Sequence, residues 1–239
     1  MATALIFAGG TGQRLNDRGK PKQFLEIHGK PIIIYTLEHF ENHPDIDSIV
    51  VVCLKGWIRE LQREIKTYDI KKVDIIVPGG NTGHDSIYFG LKAMEGKYPD
   101  DEIVLIHDGV RPLITDELIT ANIKAVEEFG TAITAEMAKE SVILSDNGVD
   151  IDKVPLRTHV YVSKAPQSFR YAWIKKYYEK AQADNFKAID SSHMLSEYGV
   201  PMHMVQSTKN NIKITDPADY YVVKGLFEAI DNEQIFGLQ

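Results

Sequence analysis

Three glycines that follow a short apolar run carry the first chemical signal in this 239-residue sequence. The segment reads Ala8-Gly9-Gly10-Thr11-Gly12, and glycines let a backbone approach a ligand closely and turn successive N–H groups toward an anion. The dinucleotide pattern G-x-G-x-x-G, read from Gly10, needs a glycine where Leu15 stands, and the Walker pattern is also absent. The loop therefore predicts phosphate binding of a type that follows neither pattern.

Basic side chains come directly after these glycines. Arg14 and Lys22 adjoin the loop, whereas Arg18 and Lys20 are interpreted as solvated surface charges. Arg and Lys stabilise the negative charge that builds on phosphate oxygens while a phosphoryl group is transferred. The combination predicts a nucleotidyl transfer site in which Arg14 and Lys22 act on a polyphosphate.

An aspartate ends the apolar run 103–107 and is followed by an arginine three residues later. At the carboxyl end of a parallel strand, Asp108 would lie on the side of the glycine loop, where a carboxylate can share Mg²⁺ with phosphate oxygens. Arg111 could bind a phosphate or a carboxylate, and His107 is expected to be a hydrogen-bonded residue at a strand end. No zinc-ligand spacing and no G-x-S-x-G elbow are present, which disfavours zinc and acyl-enzyme chemistry.

Alternating strands and helices are predicted to position these residues. The strands are near-continuous apolar runs with helical patterns between them, which is typical of a parallel sheet covered on both faces. The predicted strands are 3–8, 48–54, 73–77 and 103–107, and the predicted helices between them are 31–40, 57–67 and 82–94. The doubly wound pattern is expected to continue at least to about Phe129. The fold class is therefore α/β, with a doubly wound, mostly parallel Rossmann-like sheet.

The pattern changes after Thr131, where three strand-like pieces follow one another without a helix. They cover 131–138, 141–151 and 158–165, and Asp146-Asn147-Gly148 is a turn signal within the second. This pattern predicts an antiparallel excursion, formed either by extra strands on the sheet or by an arm that projects from it. We favour a β-arm inserted at about 138–165 in a single domain that spans 1–239. Helices over 171–183, 190–198 and 217–230 and a strand over 202–206 complete the expected order.

Composition limits the class of partner. The chain has 27 Lys+Arg against 34 Asp+Glu, a net charge of −7, which disfavours a broad nucleic-acid-binding surface. No apolar run is long enough for a membrane span, and the first residues lack the layout of a signal peptide. The single cysteine, Cys53, is expected to be a buried inert thiol. We therefore expect a cytoplasmic protein that binds neither membrane nor nucleic acid.

Six short motifs, in this order, carry a family resemblance that covers essentially the whole chain: AGGTGQRL, PKQF, GGNTGHDSI, HDGVRP, APQSF and NNIKIT. The sequence resembles cytidylyltransferases that act on sugar-alcohol phosphates. Their two branches are the methylerythritol-phosphate enzymes of isoprenoid synthesis and the ribitol-5-phosphate enzymes that supply teichoic-acid and capsule assembly. The resemblance implies a fold of the nucleotide-diphospho-sugar transferase type, a homodimer paired through the arm, CTP and Mg²⁺, and the products CDP-alditol and pyrophosphate.

The resemblance also implies a role for individual residues. It implies that Arg14, Lys22 and Lys213 are catalytic cations, and that Asp108 binds both Mg²⁺ and the polyol substrate. CTP would be bound by Ala8, Gly9, Gly10, Thr11, Gly12, Gly80, Asn81 and Ser86. The second substrate would be bound by Asp108, Arg111, Ser141, Arg157 and Asp190, with Ser141 and Arg157 reaching the pocket of the neighbouring subunit.

Departures from the methylerythritol pattern favour the ribitol branch. Asn210 stands where that branch usually has a metal-binding Asp, Gly109-Val110 replaces Ala-Ala, and Ser141 replaces a frequent Thr. The Ile189-Asp190 pair also departs from the Thr-Asp that is frequent in the family. The methylerythritol activity remains the alternative. A catalytically silent nucleotide-binding protein and a nicotinamide-dependent oxidoreductase are further alternatives, and release of pyrophosphate from CTP distinguishes the enzyme from both.

Overall fold

Seven strands form one central sheet in the computed structural model, which describes residues 1–9 and 19–236, with side chains described up to 232. The first half of the chain contains β1 (Ala2–Ala8), β2 (Glu26–Ile27), β3 (Lys30–Pro31), α1 (Ile32–Asn42), β4 (Ser48–Cys53), α2 (Ile58–Thr67), β5 (Val73–Pro78), α3 (Gly83–Ala93) and β6 (Ile103–Asp108). The second half contains α4 (Asp116–Phe129), β7 (Thr131–Met137), β8 (Tyr161–Arg170), α5 (Tyr171–Ala183), α6 (Ser191–Glu197), β9 (Met204–Gln206) and α7 (Pro217–Phe236).

The sheet has the strand order β5-β4-β1-β6-β8-β7-β9 and is mostly parallel. Only β8 runs against its two neighbours, β6 and β7, which confirms the predicted α/β class with an antiparallel excursion. Because β1, β4, β5 and β6 are parallel, their carboxyl ends meet at one edge, and the register pairs Phe7 with Asp108 there. This edge is where ligands bind in open α/β sheets.

Two apolar layers cover the faces of the sheet because successive side chains of a strand point to opposite faces. Leu5 and Val104 pack with helices α3 and α5, whereas the adjacent Ile6 and Leu105 pack with α1 and α4. Among the described residues, no helix combines the length and the apolar character that crossing a membrane requires. The layers hold the carboxyl edge of the sheet in place from both sides.

The predicted strand over 141–151 is wrong. One isolated bridge, Leu144 to Lys153, is the extent of its pairing, and the segment around it is an irregular exposed loop. Asn147 Oδ1 accepts the N–H groups of Val149 and Asp150, both at 2.9 Å, and such local bonds compete with a strand ladder. The predicted turn is present, with Gly148 at φ 74°. The strand expected over 158–165 begins at Tyr161 instead and continues to Arg170 as β8.

Candidate active site

The end of β1 packs directly on the loop that precedes α3. A Cβ on Gly9 would lie 2.6 Å from Ser86 Oγ, and one on Gly79 would lie 3.0 Å from Gly9 Cα, so neither position has space for a larger residue. Ala8 and Gly9 are buried at this contact. The remaining predicted loop residues, Gly10, Thr11, Gly12 and Arg14, lie outside the described part of the chain.

Ser86 shapes this loop from within. Its hydroxyl accepts the N–H of Gly80 at 3.1 Å and donates to the carbonyl of Thr82 at 2.9 Å. Thr82 and Asp85 form a capping box at the start of α3, which fixes the direction in which the loop enters the helix. Asn81 is exposed beside it. The predicted CTP-binding residues Gly80, Asn81 and Ser86 therefore lie together next to Gly9, with Ser86 buried and bonded within the loop.

Lys22 is held near the same edge by a short 3₁₀ turn, Lys22–Phe24. The buried Gln23 donates from Nε2 to the carbonyl of Ala8 at 2.6 Å, and Phe24 stacks on Trp57 with ring centroids 4.9 Å apart. Lys22 Nζ donates to the carbonyl of Ile214 at 3.0 Å. Lys22 therefore lies close to the end of β1, and the sequence predicts this position beside the glycine loop.

Asp108 is the centre of a buried charge cluster. Arg111 Nε donates to its Oδ2 at 2.8 Å, and Lys213 Nζ donates to its Oδ1 at 2.7 Å. Burial opposes ionisation of this carboxyl, but Arg111 and Lys213 outweigh that effect and lower its pKa below the ordinary range. Lys213 remains 41% exposed, so its ammonium group lies at the boundary between the cluster and the cleft.

Backbone contacts bring Lys213 to Asp108 from a distant part of the sequence. Ile214 N–H donates to the carbonyl of Val110 at 2.9 Å, and Arg111 Nη1 donates to the carbonyl of Asn211 at 2.9 Å. Asn211 is buried and donates from Nδ2 to the carbonyl of Ala165 at 2.6 Å. The guanidinium of Arg111 is therefore engaged in holding Asp108 and this returning segment.

A second group of polar side chains faces this cluster across the cleft. Asp190, the N-cap of α6, accepts the N–H of His193 at 2.8 Å through Oδ1. Its Oδ2 accepts the hydroxyl of Ser163 at 3.1 Å and the Nε2–H of Gln167 at 3.1 Å. Among these three residues, sequence reasoning assigned a role only to Asp190. The APQSF motif contains Gln167, but nothing in its spacing indicates that its amide organises the cleft.

The space between the two groups is a cleft of about 390 Å³ at the carboxyl edge of the sheet. Its walls contain Asp108, Arg111 and Lys213 on one side and Ser163, Gln167 and Asp190 on the other. The lining also contains the apolar side chains Phe7, Ile87, Ile106 and the exposed Ile189. Lys164, next to Ser163, lines the cleft as well, but its ammonium group pairs with Glu136 and adds no net charge to that half. The cleft therefore joins a cationic half to a neutral and acidic half.

Two predicted substrate-binding residues lie outside this cleft. Ser141 is exposed on the loop between β7 and β8. Arg157 is also exposed there, and its Nη1 donates to the carbonyl of Lys139 at 3.1 Å. Within one chain, neither residue lines the cleft, so their predicted roles depend on a second subunit.

The expected Mg²⁺ can be tested against the donor atoms. Among residues 1–9 and 19–236, no three His, Cys, Asp or Glu side chains could together hold a metal ion. Mg²⁺ is commonly held by one or two carboxylates together with substrate phosphates, and Asp108 provides oxygen donors of that kind. Each oxygen of Asp108 bonds one cation and keeps a further lone pair, so this carboxylate fits a Mg²⁺ ion whose other ligands are substrate phosphates.

Two residues behave as the sequence predicts. His107 is buried and donates from Nε2 to the carbonyl of Arg111 at 3.3 Å, and burial lowers its pKa to about 3. The ring is therefore neutral and structural at the end of β6. Cys53 is buried at the end of β4, and burial raises the pKa of its thiol to about 12, which makes it unreactive.

Comparison with known proteins decides the family. A sequence profile described as "IspD: 2-C-methyl-D-erythritol 4-phosphate cytidylyltransferase" matches residues 2–228. This chain belongs to that cytidylyltransferase family. A protein of Streptococcus agalactiae serotype III (strain NEM316), named ribitol-5-phosphate cytidylyltransferase, is 46% identical over 239 residues, which is 100% of each chain.

Relatives with the other name are also similar to this chain. A protein of Clostridium botulinum (strain 657 / Type Ba4), named 2-C-methyl-D-erythritol 4-phosphate cytidylyltransferase, is 38% identical over 229 residues, 95% of this chain and 98% of that one. The crystal structure of 4-diphosphocytidyl-2C-methyl-D-erythritolsynthase from Anaerococcus prevotii DSM 20548 has a TM-score of 0.83 and 29% identity, and covers 95% of this chain and 96% of that chain. The fold of this chain is therefore that of the cytidylyltransferase family.

Proposed function

We propose that this cytidylyltransferase transfers a cytidylyl group from CTP to ribitol 5-phosphate, giving CDP-ribitol and pyrophosphate. The observation that carries the choice of substrate is identity along the full chain, 46% to a ribitol-5-phosphate cytidylyltransferase against 38% to a methylerythritol-phosphate enzyme. The cleft supports it chemically because a cationic half next to a hydroxyl-binding half suits a polyol phosphate.

Covalent catalysis by the protein is not needed. A phosphate oxygen of ribitol 5-phosphate attacks the α-phosphorus of CTP, the bond from that phosphorus to the bridging oxygen breaks, and the electron pair leaves with pyrophosphate. Negative charge spreads over the α-phosphate oxygens during this step. Lys22, at the end of β1, and Lys213, at the edge of the Asp108 cluster, are the described cations that can stabilise it, and Arg14 is proposed to act with them.

CTP is proposed to bind along the edge formed by Gly9 and the loop before α3. The close packing of Gly9 on Gly79 brings two backbone segments together, and N–H groups at the start of a helix favour anions. Asp108, together with triphosphate oxygens, is proposed to hold Mg²⁺. When bound, this ion neutralises phosphate charge. Asp190 and Asp108, which both line the cleft, are proposed to bind hydroxyl groups of the alditol.

A homodimer through the loop between β7 and β8 is part of the proposal. This loop exposes several apolar side chains, including Val149 at 85% and Leu156 at 71%, and a group of apolar side chains on one exposed segment is typical of an interaction surface. A two-fold dimer that pairs the loop with its copy buries them and carries Arg157 toward the partner's cleft. The reaction is expected in the cytoplasm, where its product would supply assembly of ribitol-containing polymers.

The alternative is transfer to 2-C-methyl-D-erythritol 4-phosphate, which is favoured by the description of the family that matches residues 2–228. Purified protein with CTP and Mg²⁺ should release pyrophosphate when ribitol 5-phosphate is added, and CDP-ribitol should appear by mass spectrometry. ATP, GTP and UTP in place of CTP are the matched controls. Release only with methylerythritol phosphate would transfer the assignment to the alternative, and no release with either would reject both.

A further inference from the structure

Gln167 lies at the centre of a hydrogen-bonded group of polar side chains in the wall of the cleft. Gln167 is 5% exposed, and every polar atom of its amide is bonded. Nε2 donates to Ser163 Oγ at 2.9 Å and to Asp190 Oδ2 at 3.1 Å, while Oε1 accepts the N–H of Ser192 at 3.0 Å. One buried amide therefore fixes the positions of three residues on two elements, β8 and α6.

Ser163 differs from the other members because it is exposed and lines the cleft. Its oxygen accepts one bond from Gln167, and its proton can go to Asp190 Oδ2 at 3.1 Å. Ser192 Oγ lies 3.2 Å from the same oxygen, but it gives its own proton to Asp190 Oδ1 at 2.7 Å. A hydroxyl oxygen has two acceptor positions, so one position on Ser163 is left for a donor from a ligand. A polyol hydroxyl is such a donor, and it can accept the proton of Ser163 when that proton turns away from Asp190.

The two halves of the cleft differ in charge. Asp108 is neutralised by Arg111 and Lys213, which leaves that half cationic overall and suited to phosphate. Among the described residues, no Lys or Arg lies within ion-pair distance of Asp190, whose carboxylate is bonded to the hydroxyl, amide and backbone donors of its own cluster. Such neutral donors and acceptors around one carboxylate suit sugar-alcohol hydroxyls and give little attraction for a second phosphate.

We infer that Ser163 is a specificity residue that reads a hydroxyl of the alditol chain, and that Gln167 is a positioning residue that orients Ser163 and Asp190 for it. This inference rests on the proposed function, because it assigns the polyol end of the same substrate. It predicts that the Gln167 group discriminates hydroxyl-bearing phosphates from phosphates of equal length without hydroxyls. A site that bonds a substrate hydroxyl rejects the analogue that lacks it, since its own polar groups are then left unpaired.

The experiment compares ribitol 5-phosphate as substrate with n-pentyl phosphate, a five-carbon phosphate that has no hydroxyls, as competitive inhibitor, in the wild-type protein and in variants. Ser163→Ala should lower kcat/KM for ribitol 5-phosphate by about tenfold, mainly through KM. It should leave the inhibition constant of n-pentyl phosphate and the KM for CTP within about twofold of the wild-type values. Gln167→Glu keeps the shape of the side chain but removes the donor facing Asp190. It should lower kcat/KM for ribitol 5-phosphate by on the order of 10- to 100-fold, with the same selectivity.

Ser168→Ala is the matched control, because Ser168 is the buried neighbour of Gln167 whose hydroxyl bonds Asn122 Oδ1 at 3.0 Å. Ser168→Ala should change neither the kcat/KM for ribitol 5-phosphate nor the inhibition constant of n-pentyl phosphate. Thermal melting should show that each variant folds. If Gln167→Glu does not fold, the comparison of Ser163→Ala with Ser168→Ala tests the inference. Equal losses of affinity for both phosphates, or no loss for ribitol 5-phosphate, would overturn the inference. Absence of turnover in the wild-type protein would instead reject the proposed function, and the series would then be run with the alditol phosphate that it accepts.

Discussion

Asp108 forms ion pairs with two cations of the cleft, Arg111 and Lys213, and its own side chain is nearly buried. The sequence predicts that Asp108 lies at the carboxyl end of a parallel strand, with Arg111 close to it. It does not indicate that the guanidinium of Arg111 is already engaged by Asp108 and by the carbonyl of Asn211. Arg111 therefore orients Asp108, and a direct contact with substrate stays a prediction.

Replacement of Asp108 by Asn should weaken both metal binding and folding. A neutral amide is a poorer ligand for Mg²⁺, and removal of one partner of a buried ion pair costs about 3–5 kcal/mol. We expect Asp108→Asn to raise the Mg²⁺ concentration for half-maximal activity and to lower the free energy of unfolding measured with urea. Asp69→Asn, in an exposed pair with Lys71, is the control and should change neither. An unchanged Mg²⁺ titration would show that Asp108 has a purely structural role.

Lys22 is expected to act mainly in the transition state. Loss of one preorganised charge at a reacting phosphate typically lowers the rate by ~10²–10³. Lys22→Ala should therefore reduce kcat far more than it weakens CTP binding, measured by steady-state kinetics and by calorimetry. Lys20→Ala is the matched control, because Lys20 forms an exposed pair with Glu26. If Lys22→Ala retains more than about half of the wild-type kcat, Lys22 is not catalytic.

At the scale of elements, the parallel half of the sheet could be predicted because its strands are apolar on both faces. β1, β4, β5 and β6 all lie within a residue or two of their predicted ranges. The loop between β7 and β8 could not be predicted, since apolar residues such as Val149 and Ile151 look like strand residues although they are exposed. Their exposure, together with the Asn147 bonds, distinguishes this loop from a strand of the sheet.

Arg157, on the same loop, is expected to affect the binding of the alditol phosphate. In one chain its guanidinium bonds the carbonyl of Lys139, and the proposed dimer would direct it to the alditol phosphate of the partner's cleft. An arginine binds a phosphate with two parallel bonds, which a lysine cannot reproduce. Arg157→Lys should therefore raise the KM for the alditol phosphate and leave the KM for CTP nearly unchanged. Equal changes in the two KM values would contradict a selective role at the second substrate.

At the scale of the whole molecule, the candidate site was only partly predictable. Motif order located Gly9, Lys22, Asp108 and Lys213 at one edge, because parallel strands bring their ends together. The wall formed by Gln167 and Ser163 depends on the reversed strand β8 and its contacts with α6, and no short sequence pattern encodes that pairing. Completion of the cleft by a second chain likewise stays a prediction.

Mixing two inactive variants tests whether a second subunit contributes Arg157 to the cleft. Lys22→Ala and Arg157→Ala should each be nearly inactive alone. After the two are mixed and allowed to exchange subunits, half of the dimers would have one cleft with both residues intact, so roughly a quarter of the wild-type activity should return. Native mass spectrometry would verify that heterodimers form. Heterodimers without recovered activity would show that the cleft is not shared between subunits.

Competition between the two alditol phosphates shows directly which of them is the substrate of this enzyme. Ribitol 5-phosphate and 2-C-methyl-D-erythritol 4-phosphate are supplied together at equal concentration with limiting CTP and Mg²⁺, and the CDP-alditol products are quantified by mass spectrometry. The product ratio equals the ratio of the two kcat/KM values. We predict CDP-ribitol in at least about tenfold excess. A predominance of the methylerythritol product would contradict it.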